Sequence, residues 1–117
     1  IAIADDHWHM RQAIKQTLVS FGYNLIIEAE DGRKLIDQIT SSSIPDICLL
    51  DMNMPFLNGV QSTRILKEKW PSIKIIIFSM SDRDLAKAEA RAAGADAYLL
   101  KFDHIEKLRE TLKDLEK

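Results

Sequence analysis

The chain has 117 residues, an apolar fraction of 46% and a charged fraction of 29%, which suits one soluble domain with a real buried core. A net charge of -2 gives this segment no electrostatic reason to bind nucleic acid, and no apolar stretch approaches the length of a membrane span. Nothing reads as a signal peptide, and the lone Cys48 inside "DICLL" reads as a buried inert thiol, so a reducing cytoplasm is the expected location.

Along the chain, short apolar runs alternate with amphipathic stretches. "IAIA" reads as a strand, and Met10, Ile14, Leu18 and Phe21 mark one face of a helix that "FGYN" stops. "LIIEA" is a second strand, and Asp31 is placed to cap a helix carrying Leu35, Ile36 and Ile39. "SSSIP" breaks the pattern before a third strand, "DICLL", and the turn-rich loop "NMPFLNG". Gly59 leads into a helix running through Ile65 and Leu66 to Trp70, ended by Pro71. "IKIIIF" is the fourth and most apolar strand, and Asp82 is placed to cap an Ala-rich helix ending at Gly94. "AYLL" is a fifth strand, and Ile105, Leu108, Leu112 and Leu115 mark a last helix. Five βα units in a row imply right-handed crossovers and a parallel sheet covered on both faces. Near-continuous apolar strands agree, because strands buried on both sides need not alternate. The fold class is a doubly wound α/β sandwich, one domain over residues 1–117.

Polar residues stand at the same end of these strands. The first strand ends in Asp5 and Asp6, the third in Asp51, the fourth in Ser79 and the fifth in Lys101. In an open parallel sheet those ends form one edge, where such folds bind ligands beside a topological switch point. Taken singly, Asp6 reads as a helix cap, Ser79 as a loop hydroxyl and Lys101 as a surface charge; their convergence on one edge is what points to function. Clustered carboxylates repel one another and stay ionised when a cation sits among them, and their hard oxygens suit Mg²⁺. A metal, a lysine and a hydroxyl around one carboxylate are the groups that stabilise a transferring phosphoryl group, with Asp51 as the nucleophile that forms an acyl phosphate.

With "IADDH", "LLDMNMPFLNG", "IIFSMS" and "AYLLK" in this order and at these separations, the chain resembles a bacterial response-regulator receiver domain over essentially its whole length. The resemblance implies a flavodoxin-like five-stranded sheet in the order 2-1-3-4-5. It implies phosphoryl transfer from the phosphohistidine of a sensor histidine kinase, or from a phosphotransfer protein, to Asp51. It implies Mg²⁺ bound by Asp6, Asp51 and the backbone carbonyl of Asn53, with Asp5 acting through water. Lys101 pairs with the phosphoryl group, and Ser79 hydrogen-bonds to it after transfer. Ser79 and Tyr98 then form the switch, the hydroxyl moving toward the phosphate as the aromatic turns inward. Such a domain is a signalling component rather than an enzyme, catalysing only its own phosphoryl transfer and dephosphorylation. Asn53 and Ser81 occupy the positions often linked to self-dephosphorylation.

This sequence departs from the family at two places. Phe102 stands where a proline usually follows the lysine, and a cis bond before a non-proline residue costs about 3–4 kcal/mol, so a trans bond or a strained exception is expected. Met80 stands where a small residue usually follows the hydroxyl, and its thioether is expected to restrict access to Asp51.

Other features carry less. His7 and His9 do not share a helix face, which speaks against a metal site made by that pair. His104 begins the last helix and reads as exposed or capping. Trp8 follows "DDH" where a proline is common in one DNA-binding subfamily, and it either covers the acidic site or packs in the ordinary way. Arg83, Lys87 and Arg91 form a basic stripe that reads first as a solvated face and second as a partner or dimer contact. The resemblance leaves room for a homodimer through the last two helices and strand five, and for DNA binding only through an output domain outside this chain. The chain starts at Ile1 without a Met, so either a fragment or a chain lacking a disordered start is expected. The alternative function is a pseudo-receiver that docks partners without phosphorylation. A flavodoxin would not place two carboxylates where the FMN phosphate binds, and an Asp-x-Asp phosphatase would need an acid where Asn53 stands.

Overall fold

The computed structural model describes residues 1–116. Its elements are β1 (Ala2–Ala4), α1 (Trp8–Ser20), β2 (Ile27–Ala29), α2 (Gly32–Gln38), β3 (Ile47–Asp51), α3 (Gly59–Lys69), β4 (Lys74–Ser79), α4 (Asp84–Ala93), β5 (Ala97–Leu100) and α5 (Ile105–Glu116). The five strands pair in parallel in the order β2-β1-β3-β4-β5, as the resemblance implied. The chain winds from β1 out to the β2 edge, then crosses back to β3. The switch point of the fold therefore lies between β1 and β3.

The sheet divides the core into two clusters. Ala2, Ala4, Cys48, Leu50, Ile75 and Ile77 face Leu35 and Ile36 of α2, Leu66 of α3 and Ala90 of α4. Ile3, Ile47, Leu49, Ile76, Phe78 and Leu99 face Ile14 and Leu18 of α1 and Leu108 and Leu112 of α5. Successive strand residues point to opposite faces, so a run such as Ile75–Phe78 feeds both clusters in turn. Each fully buried Ile or Leu contributes about 1.5–3 kcal/mol of burial. Cys48 lies buried within the first cluster, and its thiol pKa is pushed up to about 12 by burial, which makes it inert.

The helix ends follow local chemistry. The Asp31 side chain accepts a hydrogen bond from the Lys34 N–H at 2.9 Å, as its cap position suggested. Asn58 and Gln61 form a reciprocal capping box at the start of α3. Gly94 ends α4 at φ +105°, a conformation that needs no Cβ. The start of α4 differs from expectation. Asp82 does not cap it; the helix begins two residues later after Arg83, without a side-chain cap. The reason is local: Ser81 Oγ accepts the Arg83 N–H at 3.3 Å, which holds the preceding residues in a turn. β2 is shorter than "LIIEA", and Ile39 follows α2 in extended backbone while staying buried. The Lys101–Phe102 bond is trans.

Gly59 ties α3 to the carboxyl end of β3. A Cβ at this position would meet the Asp51 carbonyl oxygen at 2.6 Å and the Met52 Cα at 3.0 Å, both backbone atoms that cannot step aside. The Gly59 N–H also donates to the Met52 carbonyl at 3.0 Å. Gly59→Ala is therefore expected to lower stability by about 1–3 kcal/mol, read from the midpoint of urea unfolding.

Candidate functional site

Strand periodicity delivers the site. Ile3, Leu49 and Leu99 all point to the α1/α5 face. Two residues further along each strand path stand Asp5, Asp51 and Lys101. The pairing of Ala4 with Leu50 sets Asp5 beside Asp51, across the switch point. Main-chain hydrogen bonds fix the surrounding loops. The Asp5 N–H donates to the Ala29 carbonyl at 3.1 Å, the Met52 N–H to the Phe78 carbonyl at 2.8 Å, and the Lys101 N–H to the Ser79 carbonyl at 2.8 Å. Arg11 Nη1 in α1 donates to the Asp5 carbonyl at 2.7 Å and holds that turn from below.

Lys101 Nζ lies 3.1 Å from Asp5 Oδ2 and 3.1 Å from Asp51 Oδ1, and the three side chains are only 2–5% exposed. One ammonium thus bridges two buried carboxylates. The Asn53 N–H adds a long contact of 3.3 Å to Asp51 Oδ1. The other oxygen, Asp51 Oδ2, is buried and has no hydrogen-bond partner among the described residues. A buried carboxylate oxygen without a donor is costly, and it is suited to a cation or to nucleophilic attack. Asp6 is a third, more exposed carboxylate at the same mouth.

Asp51 has its pKa pushed up to about 6, first by burial and then by the neighbouring charge of Asp5, with Lys101 opposing both. The metal-free fold thus favours the protonated form more than water does, although a carboxyl titrating near 6 is still mostly ionised at neutral pH. A cation near Oδ2 would reverse that preference by favouring the ionised form.

Ser79, at the end of β4, points to the opposite face of the sheet from Phe78 and is buried. Its Oγ accepts the Ser81 N–H at 3.0 Å, and the Ser81 carbonyl accepts the Tyr98 O–H at 2.6 Å. Tyr98 is half-buried against the α2–α4 cluster. The hydroxyl beside the acid pocket and the aromatic on β5 are therefore linked through one residue.

The residues singled out in the sequence do not all behave as expected. Asp6 does not cap α1; the helix is preceded by His7, with no side-chain cap. His7 and His9 are not brought together as a pair. His7 alone enters the acidic group, with Nδ1 at 3.1 Å from Asp6 Oδ1, because the His7 N–H donates to Asp5 Oδ1 at 2.8 Å and turns the residue back over the pocket. Helix-face spacing missed this because His7 lies outside the helix; adjacency to the paired aspartates was the usable signal. Trp8 is exposed and meets the His9 ring edge-on at 5.1 Å rather than packing in the core. His104 is exposed, and its Nδ1 accepts the Glu106 N–H at 3.2 Å, which makes it a cap for α5. Met80 is 65% exposed and shares a shallow surface with His7, His9 and Lys101 beside the mouth. Arg83 and Arg91 are exposed and Lys87 half-buried, with Arg83 outside the helix, so the stripe is largely a solvated face.

A doubly wound parallel sheet with a lysine-bridged acid pocket at its switch point defines a class of α/β domains suited to handling phosphoryl groups. Within that class the chain belongs to the response regulator receiver domain family, whose model matches residues 1–113. These are the phosphorylation-based signalling domains of two-component systems. The chain is 38% identical over 114 residues to the nitrate/nitrite response regulator protein NarL of Escherichia coli K12, covering 96% of this chain and 52% of NarL. It is 32% identical to the transcriptional regulatory protein DegU of Brevibacillus brevis, covering 97% of this chain and 48% of DegU. The chain thus spans about half the length of these two relatives. Among solved structures, a LuxR-family DNA-binding response regulator from Staphylococcus aureus superposes with a TM-score of 0.91 at 28% identity, over 99% of this chain and 97% of that one. No helix among the described residues is long and apolar enough to cross a membrane.

The raised pKa of Asp51 makes stability depend on pH in a defined direction. A carboxyl whose folded pKa lies above its unfolded value stabilises the fold below the unfolded pKa, and that contribution is lost as pH rises through the folded pKa. For Asp51 the window runs from about pH 4 to about pH 6. In metal-free buffer, Asp51→Asn is expected to be more stable than wild type at neutral pH by about 1–3 kcal/mol, with the gap closing toward pH 4. Urea unfolding of both proteins across that range checks it.

Proposed function

We propose that the chain is a phosphorylation-dependent switch that accepts a phosphoryl group on Asp51 from a sensor histidine kinase or a phosphotransfer protein. The observation that carries this reading is Asp51 Oδ2, a buried carboxylate oxygen with no hydrogen-bond partner among the described residues, beside a carboxylate–lysine bridge. In the transfer, that carboxylate attacks phosphorus and an O–P bond forms. The N–P bond of the donor phosphohistidine breaks, and its electron pair returns to the imidazole. The product is an acyl phosphate on Asp51.

The residues present fit a Mg²⁺ ion: hard carboxylate oxygens at one mouth, one of them lacking a donor. Asp6, Asp51 and the Asn53 carbonyl would hold it, with Asp5 contributing through water. When bound, it would supply positive charge against the developing charge of the transferring group. Lys101, already 3.1 Å from Asp51, serves the same electrostatic purpose as a fixed cation and pairs with the phosphoryl oxygens after transfer. Ser79 then offers its hydroxyl to the phosphoryl group. Ser79 Oγ also accepts the Ser81 N–H, so movement of the hydroxyl toward the phosphoryl group pulls on Ser81, and the Ser81–Tyr98 bond carries the change toward β5 and α4. The added charge biases two arrangements of one loop rather than building a new fold.

The rim supports a protein donor. Trp8, Phe56, Met80 and Phe102 are large apolar side chains exposed on loops or helix starts at the carboxyl edge of the sheet. An effect on DNA, like that named for the LuxR-family neighbour, would come through an output domain outside this chain. No observation among the described residues favours the pseudo-receiver alternative over this one.

The test is labelling with acetyl phosphate in the presence of Mg²⁺. Wild type is expected to take up one acid-stable, base-labile phosphoryl group and Asp51→Asn none. Labelling that survives the substitution would reject Asp51 as the acceptor. Met80, beside the mouth, restricts small donors in this reading. Met80→Ala is therefore expected to label faster than wild type, and equal rates would refute the restriction.

A further inference from the structure

Phosphoryl transfer gives the thioether of Met80 no part beyond its bulk at the mouth, yet the fold sets this sulfur apart from the others. The chain holds four methionines and one cysteine. Cys48 is fully buried, and its thiol pKa, pushed up to about 12, leaves almost no reactive thiolate. Met54 is buried, and Met10 and Met52 pack partly buried against the two core clusters. Met80 is 65% exposed. An oxidant arriving from solvent therefore meets one sulfur well ahead of the rest.

Strand alternation explains where that sulfur stands. Phe78 points to the α1/α5 face, and Ser79 points away from it. Met80, one residue past the end of β4, returns to the Phe78 side, where α1 begins. There it lines a mostly apolar, shallow surface with His7, His9, Met10, Ala13 and Lys101. Lys101 Nζ is 3.1 Å from Asp51 Oδ1, so this surface adjoins the acceptor.

We propose that Met80 is a site of reversible sulfur oxidation, and that its sulfoxide narrows the mouth through which Asp51 is phosphorylated. The narrowing rests on the reading of Asp51 as phosphoacceptor, whereas the modification site does not. In the step, a sulfur lone pair attacks one oxygen of hydrogen peroxide. An S–O bond forms, the O–O bond breaks, and the departing oxygen takes up a proton and leaves as water. Sulfur loses two electrons and the peroxide gains them. A methionine sulfoxide reductase reverses the step, with the oxygen lost as water while two thiols close to a disulfide.

The product presents different chemistry to its neighbours. A thioether is a weak acceptor, whereas a sulfoxide oxygen is polar and accepts a hydrogen bond well. Lys101 is already committed to two carboxylates at 3.1 Å. His7 and His9 are both exposed and offer imidazole N–H groups on the same surface. A bond from either one ties the loop after β4 to the start of α1, over the mouth.

The experiment treats the whole chain with hydrogen peroxide, stops the reaction with catalase and maps oxygen uptake by peptide mass spectrometry. Met80 is expected to be oxidised ahead of Met10, Met52 and Met54, with Cys48 unmodified. Protein oxidised at Met80 alone is then labelled with acetyl phosphate and Mg²⁺. One neutral hydrogen bond over the mouth corresponds to about 2–10-fold in rate, and labelling is expected to slow by that factor. Methionine sulfoxide reductase with dithiothreitol is expected to restore the rate. Met80→Gln, with an amide oxygen in place of the sulfoxide, is expected to label slowly without peroxide. Met80→Leu is expected to label at one rate with and without peroxide. Oxidation of Met10 or Met52 ahead of Met80 would overturn the modification site. An unchanged or raised labelling rate after oxidation, or equal slowing in Met80→Leu, would overturn its effect on the mouth. If untreated wild type takes up no label, the reading of Asp51 as acceptor falls, and the mapping still decides the modification site.

Discussion

The molecule is organised around a charge imbalance. Lys101 bridges Asp5 and Asp51, both buried, and Asp6 adds a further carboxylate at the mouth. One ammonium cannot neutralise three carboxylates, so the pocket remains anionic and Asp51 is driven toward its protonated form. A hydrophobic core would not tolerate this arrangement, because an unpaired buried charge costs several kcal/mol. It persists because the sheet ends here and solvent or a cation can reach the mouth. The strained acid pocket and the stable core are thus two consequences of where the strands stop.

The strands' own regularity places that pocket. The same alternation that sends Ile3, Leu49 and Leu99 into the α1/α5 cluster sends Asp5, Asp51 and Lys101 to a common point beyond it. Register does the rest, since a slip of one residue between β1 and β3 would turn Asp5 to the opposite face. Gly59 lets α3 start hard against the end of β3, which keeps the loop after Asp51 short and close. The core thereby fixes the positions of charges it does not contain.

Much of this was legible in the sequence, and the misses share a cause. The βα order, the strand ends and the convergence of Asp5, Asp6, Asp51 and Lys101 follow from periodicity, which is a property of regular elements. The sheet order was available through the resemblance to receivers rather than through the residues themselves. What escaped lies in the turns. Asp82 looked like a cap because of its type and position, but Ser81 takes the hydrogen bond that sets where α4 begins. His7 was judged by helix spacing although it precedes the helix, and its place is fixed by a backbone bond to Asp5. The link from Ser79 through Ser81 to Tyr98 spans a loop and a strand, and no spacing rule reports it.

The division of the core into two clusters has a mechanical consequence. Asp5, Asp51 and Lys101 rise from the half packed on α1 and α5, whereas Ser79 and Tyr98 belong to the half packed on α2, α3 and α4. The residues that hold charge and those that would sense it in the proposed switch rest on separate foundations, with the sheet as a stiff partition between them. Were that switch to operate, sequence drift under the Ser79–Tyr98 half would retune it while the acid pocket stays put, because substitutions on the two sides share few neighbours and combine nearly independently. A chain built this way can change the α2–α4 side of its surface without having to rebuild its acid pocket.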